Sequence, residues 1–182
     1  MIEGDKVRLV ALSENYLPNY RKWMEDPEVT DFLASVDFPI SCAEEREWLE
    51  RANSQDSRDL HLTIVTKQGK PIGNIALMDL HCLNRNAQLG IEIGEKEYLG
   101  KGFGEDSIRA LLAFAFGAMG LNRVELKLNE GNERALACYK KCGFKLEGRR
   151  KQQLFYRGKY CDELIMGIVS EDWRRAEKKR KA

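Results

Sequence analysis

Within residues 87–120 a strand pattern runs into three closely spaced glycines and then into a helix pattern. Leu89, Ile91 and Ile93 alternate with other residues, the two-residue period of a strand. Gly100, Gly102 and Gly104 follow, and Ile108, Leu111, Leu112, Ala115, Phe116 and Met119 then recur at helical spacing. The first turn of such a helix carries backbone N–H groups that find no partner inside the helix. Glycine, lacking a Cβ, lets an anion approach them, and the helix dipole favours negative charge at that end. The stretch therefore reads as an anion-binding turn, whose usual occupant is a pyrophosphate. It is not a dinucleotide fingerprint, because the third glycine of G-x-G-x-x-G counted from Gly100 falls on Glu105. The P-loop pattern fails at the same residue. A plainer alternative is a helix entry that merely holds spare glycines.

What remains is Leu99-Gly100-Lys101-Gly102-Phe103-Gly104. It resembles Q/R-x-x-G-x-G/A, the coenzyme pyrophosphate loop of the GNAT N-acetyltransferases, with Leu99 where Gln or Arg is usual. A second, separate match supports the resemblance. The GNAT pattern N-x-x-A-x-x-x-Y-x-x-x-G-F is met over residues 132–144 by Asn132, Ala135, Tyr139, Gly143 and Phe144. One helix and one strand fit between the two motifs. Near the end, Gly158-Lys159-Tyr160, Asp162 and Met166-Gly167 are similar to the branch that holds ribosomal-protein and polyamine (spermidine) N-acetyltransferases. The resemblance runs from Val7 to Trp173.

Composition fits one soluble domain. A chain of 182 residues with 43% apolar and 32% charged residues can bury a core without staples. Residues 1–173 are read as a single domain and 174–182 as a basic C-terminal tail, with six basic residues against Glu177. The formal charge of +1 for the whole chain thus hides a net acidic body, which suits a cationic amine. Five cysteines (Cys42, Cys82, Cys138, Cys142 and Cys161) lack the paired spacing of a disulfide framework. Cys138 and Cys142 share a helix face, but with only His61 and His81 elsewhere they read as free thiols rather than a metal site. Neither a signal peptide nor a membrane span is expected, and the compartment is read as cytoplasmic.

Along the chain, Val7–Leu12 reads as the first strand. Ser13 caps a helix through Tyr16, Leu17, Tyr20 and Trp23. Asp26-Pro27 opens a short helix through Val29, Phe32 and Leu33. Residues 34–40 form a loop, and Ser41 with Glu44 makes a capping box for a helix to about Ala52. Residues 53–59 read as a loop. Leu60–Thr66 and Pro71–Leu80 form a hairpin. Gly120 ends the central helix, Arg123–Leu128 is a strand, and Asn132 caps a helix that Gly143 closes. Lys145–Tyr156 and Tyr160–Ser170 are strands joined at Arg157-Gly158-Lys159. Beyond Trp173 the chain is helical or frayed. This order predicts an α+β fold: a mixed, mostly antiparallel sheet with helices on both faces. The resemblance implies the GNAT fold, in which the strands of Ile91–Ile93 and Val124–Leu128 run parallel and splay apart to admit a pantetheine arm.

The resemblance also implies an acetyl-CoA-dependent N-acetyltransferase acting by direct attack of an amine. Ile91, Glu92, Ile93, Leu99, Gly100, Lys101, Gly102, Phe103, Gly104, Glu105, Asn132, Ala135 and Tyr139 would bind the coenzyme. The backbone groups of Glu92 and Ile93 would pair with pantetheine, and an N–H near Ile93 would meet the oxyanion. Tyr139 would be the general acid for the thiolate, although it also suits an apolar helix face with Ala135, Cys138 and Cys142. The base is open among Glu92, Asp79 and Asp37, or an ordered water chain; Asp37 and Asp79 are the acceptor-side acids. Lys101, Lys127 and Lys140 are possible phosphate contacts. The acceptor is a protein N-terminal amine or a small-molecule amine, with polyamines and amino sugars as alternatives. A rival of another class is a nucleic-acid or ribosome-binding module using the basic tail with Arg8, Arg149, Arg150 and Lys151, but terminal charge runs are usually solvated. The long final hairpin offers an edge for a homodimer.

Overall fold

A computed structural model describes residues 1–33, 41–54 and 57–181. The loop expected at 34–40, with Asp37, lies outside them, as do residues 55–56. The strands are β1 (Ile2–Glu3), β2 (Val7–Ala11), β3 (Leu60–Thr66), β4 (Pro71–His81), β5 (Asn86–Ile93), β6 (Arg123–Asn129), β7 (Lys145–Tyr156) and β8 (Lys159–Val169). The helices are α1 (Leu17–Met24), α2 (Pro27–Thr30), α3 (Cys42–Ala52), α4 (Phe103–Gly117), α5 (Glu133–Lys141) and α6 (Ser170–Lys181).

Local chemistry explains most of these boundaries. Ser13 Oγ accepts the Asn15 N–H and starts a single 3-10 turn ahead of α1. The Ser41–Glu44 box is complete, with bonds of 3.3 and 2.8 Å. Asn132 Oδ1 accepts the Ala135 N–H at 3.1 Å and caps α5. At the other end Phe144 N–H returns to the Tyr139 carbonyl and Gly143 N–H to that of Lys140. That pair of bonds is a Schellman closure, with Gly143 at φ +96°. Arg157 and Gly158, both at positive φ, form the two-residue turn between β7 and β8.

Three boundaries differ from the sequence reading. The short β1 precedes the strand expected first and pairs with it through Ile2–Leu9. α2 stops at Thr30, and one further turn carries the chain to Leu33. α4 ends at Gly117, because Met119 N–H reaches back five residues to the Phe114 carbonyl and widens the last turn before Gly120.

The eight strands form one sheet in the order β1-β2-β3-β4-β5-β6-β8-β7, antiparallel except for β5–β6. One face packs Val7, Leu9, Leu62, Ile64, Leu77, Ala87 and Leu89 against Ile108, Leu111, Leu112 and Ala115 of α4. Tyr139 and Phe144 belong to that same core. The opposite face is covered by Tyr20 and Trp23 of α1 and Leu49 of α3. The C-terminal residues are helical and docked: Trp173 packs on Phe116, and Glu177 pairs with Arg109 at 3.0 Å.

Candidate active site

The parallel ladder between β5 and β6 has three pairs, Asn86–Arg123, Ala87–Val124 and Gln88–Glu125. Beyond them β5 follows β4 as far as Gly73–Ile93, while β6 follows β8 as far as Asn129–Glu163. A wedge therefore opens between the two strands. Gly94 N–H donates to the Ile72 carbonyl at 2.9 Å. In an antiparallel ladder this makes Gly73–Ile93 a pair whose own backbone groups point away from each other. By that alternation Ile91 and Ile93 turn N–H and C=O into the wedge, and Glu92 turns its own towards β4. A Cβ built on Gly73 would lie 2.1 Å from the Glu92 carbonyl oxygen, which agrees. The backbone groups expected from Glu92 and Ile93 thus come from Ile91 and Ile93.

At the mouth of the wedge lies the glycine turn. Leu99 closes a 3-10 turn with its N–H on the Lys96 carbonyl. Gly100 and Gly102 take φ of +70° and +83°, a region costly for residues with a Cβ. Gly102 is the N-cap of α4 and offers no side chain to its first turn, so the N–H groups there are uncapped. Gly104 is packed by Ile93, whose Cγ1 lies 3.8 Å from where a Cβ would sit. Two carboxylates in this turn would repel an anion, but both are engaged. Glu105 pairs with Arg109 at 3.0 Å. Asp106 accepts the N–H groups of Asp5, Lys6 and Val7 at 2.8–3.0 Å. This anchor delivers the Lys6 ammonium to the Lys101 carbonyl, 2.8 Å away. Lys6 was missed in the sequence, where nothing marks a residue 95 positions from its partner.

Glu92 and Tyr139 lie on opposite faces of the sheet. Glu92 stands directly across from Asn74, whose Nδ2 donates to Oε1 at 2.9 Å. Asn74 is in turn the partner of Thr63, which is bonded to Tyr20, so Glu92 faces α1 and α3. Burial pushes its carboxyl up to about 7, with the Asn74 bond opposing. Tyr139 is buried on the α4 side, with its ring edge-on to Phe144. Its hydroxyl has no hydrogen-bond partner among the described residues and is not among the sealed, unpartnered atoms. Burial raises the phenol well above its ordinary value, and Cys138 and Cys142 add to the rise, so it keeps its proton.

The other expected residues divide. Asn132 spends Oδ1 on the Ala135 N–H, which leaves its amide N–H groups for a ligand. Asp79 is exposed, at the far end of β4, with its N–H on Asp59. Five residues of strand separate it from Asn74, ~17 Å at the usual rise. It is not brought to the wedge. Asp37 falls outside the described residues. Among the described residues, no group of three or more His, Cys, Asp or Glu side chains could hold a metal ion.

Residues 6–145 match the acetyltransferase (GNAT) domain family. The spermidine N(1)-acetyltransferase of Vibrio cholerae is 27% identical over 135 residues, 74% of this chain and 78% of that one. The putative ribosomal N-acetyltransferase YdaF of Bacillus subtilis is 33% identical over 105 residues, 58% of this chain and 57% of that one. The crystal structure of the V. cholerae spermidine N-acetyltransferase with CoA and spermine superposes with a TM-score of 0.83 at 24% identity, covering 93% of this chain and 98% of that one. That structural likeness shows the fold.

Proposed function

The chain belongs to the GNAT acetyltransferase domain family, and on that premise we propose that Glu92 and Tyr139 serve the two ends of one acetyl transfer from acetyl-CoA to a primary amine. One observation supports this reading: a raised carboxyl and an unengaged phenol stand on opposite faces of the sheet that the wedge divides.

The uncapped N–H groups of α4, with Lys6 beside them, suit the coenzyme diphosphate. Ile91 and Ile93 offer backbone groups to an extended amide-bearing arm, as an added strand would use them. The amine approaches from the α1–α3 side. An amine arrives as an ammonium near pH 7 and must lose a proton before it can attack. Glu92 Oε2, the oxygen not held by Asn74, accepts that proton. A base near 7 is better matched to the task than an ordinary carboxylate. The Ile93 N–H is aimed to meet the negative charge that develops on the acetyl oxygen; donors of this kind contribute roughly 3–4 kcal/mol elsewhere. On the α5 side the Tyr139 hydroxyl gives its proton to the departing thiolate as the C–S bond breaks, and the second proton shed by the new amide nitrogen returns the phenolate to phenol through solvent.

The acceptor is a protein N-terminal amine or a small-molecule amine. A polyamine acceptor is the second reading, favoured by the spermidine N(1)-acetyltransferase relative. The free thiols Cys82, Cys138, Cys142 and Cys161 support a cytoplasmic setting. The exposed edge of β7 is where a second copy would join. Thiol release from acetyl-CoA, measured across spermidine, spermine, amino sugars and peptides with free N-termini, tests the reading. Release above the water rate with one class identifies the acceptor; no release with any primary amine sinks the proposal.

A further inference from the structure

Asn74 Oδ1 is buried without a hydrogen-bond partner among the described residues. Buried carbonyl oxygens are rarely left so, and the exception calls for a cause. The cause lies on the other arm of the same amide. Turning it by half a circle would free Oδ1 from its sealed position, but it would set an oxygen against the Glu92 carboxylate. The amide keeps its donor on Glu92 at the expense of its acceptor. We propose that Asn74 is the positioning residue of the acceptor-side base: by donating to Oε1 it fixes the plane of the Glu92 carboxyl and leaves Oε2 as the single oxygen that takes the proton of the amine. The inference rests on the reading of Glu92 as that base.

The register gives this pairing its rigidity. Asn74 and Glu92 are direct cross-strand partners on β4 and β5, so neither needs a long side-chain excursion to meet the other. Among the described residues, Asn74 is the one side chain bonded to the Glu92 carboxyl. On α1, Tyr20 is bonded to Thr63, while Lys22 and Trp23 both bind Glu95. On α3, Glu45 is paired to Arg21. On β3, His61 stands near Asp59 and against the Trp48 ring. Across the wedge, the residues of β6 on this face are Arg123, Glu125, Lys127 and Asn129, with Glu125 paired to Arg123. Beyond them Glu163 of β8 is paired to Arg150. Burial and the Asn74 bond are the two influences on the Glu92 carboxyl, and the bond is the one that favours the charged form.

The test is the pH profile of kcat/KM for Asn74→Leu and Asn74→Thr, beside Glu92→Gln. Leu keeps the branched shape of Asn without its donor; Thr suits a strand and retains a hydroxyl. Without the amide donor the acid limb moves up by about one pH unit, so activity at pH 7 falls about fivefold and recovers in large part by pH 9. Titration of the Glu92 carboxyl by carbon-13 NMR moves in step, and Asn74→Thr shifts less than Asn74→Leu. A merely structural Asn74 would lower activity equally at every pH. Superimposable profiles and titrations in either folded variant, with Glu92→Gln inactive, overturn the role of Asn74 alone. Full activity in Glu92→Gln removes the base itself.

Discussion

The Lys6 ammonium donates to the carbonyl oxygen of Lys101 at 2.8 Å, which sets a cation from the start of the chain beside the turn that opens α4. Asp106 holds the Lys6 backbone in place, so the side chain is aimed before any ligand arrives. Lys6→Met should weaken coenzyme A binding about tenfold, the size of one lost charge-assisted contact. It should also flatten the salt dependence of binding. Calorimetric titration at two salt concentrations checks both; an unchanged Kd would detach Lys6 from the phosphate site.

Glu92 links activity and stability with opposite signs. Its folded value is raised from the ordinary 4.5 to about 7. As a base it works when ionised, so kcat/KM should fall as pH drops below about 7. For the fold, a raised carboxyl is favourable when protonated. That contribution is whole below about pH 4.5 and is lost as pH climbs through 7. Glu92→Gln stays neutral throughout and should gain roughly 2–3 kcal/mol over the parent at pH 8 while losing most of its turnover. Urea melts at pH 5 and pH 8 decide the matter: equal stability differences at both would contradict the raised value.

Tyr139→Phe deletes a hydroxyl that holds nothing else in place among the described residues. The ring contact with Phe144 survives, so the fold should change by less than ~1 kcal/mol. Turnover should drop by 100-fold or more, with coenzyme affinity nearly unchanged. Pre-steady-state thiol release is the measurement, and an undiminished rate would relieve Tyr139 of the acid role.

Removing residues 174–182 separates docking from chemistry. Arg174 donates to the Phe116 carbonyl and Glu177 to Arg109 is an ion pair, so the truncated chain loses real contacts. Trp173 and the Glu105 partner of Arg109 remain. The melting temperature should fall by a few degrees, corresponding to about 1–2 kcal/mol. Acetyl transfer at 25 °C should persist; its disappearance in a folded truncation would place the tail in the site.

What could be read in advance followed chemistry confined to a few neighbouring residues. The glycine turn, the Asn132 cap and the Ser41–Glu44 box declare themselves because φ preference and capping act over three or four positions. The strand pair that splays was expected from the GNAT resemblance and is present. The side of the sheet to which Glu92 points was not legible, because it depends on register against β4. The meetings of Lys6 with Lys101 and of Asp106 with Asp5 join residues about a hundred positions apart, where no local pattern registers. The distance of Asp79 from the wedge was hidden for a similar reason: a strand end can be either end, and the pairing of β4 with β5 decides which. The described basic residues after Trp173 are exposed, as a solvated run should be, while the meeting of Glu177 with Arg109 is another long-range contact that no local pattern registers.

Three rungs, from Asn86–Arg123 to Gln88–Glu125, form the ladder between β5 and β6, with the Asn122 N–H on the Arg85 carbonyl just beyond it. The sheet is therefore two stiff leaves on a short spine, five strands to one side and three to the other. Anything seated between the leaves braces both at once. Its departure would be felt as a loosening of the whole binding, well away from the place where it sat.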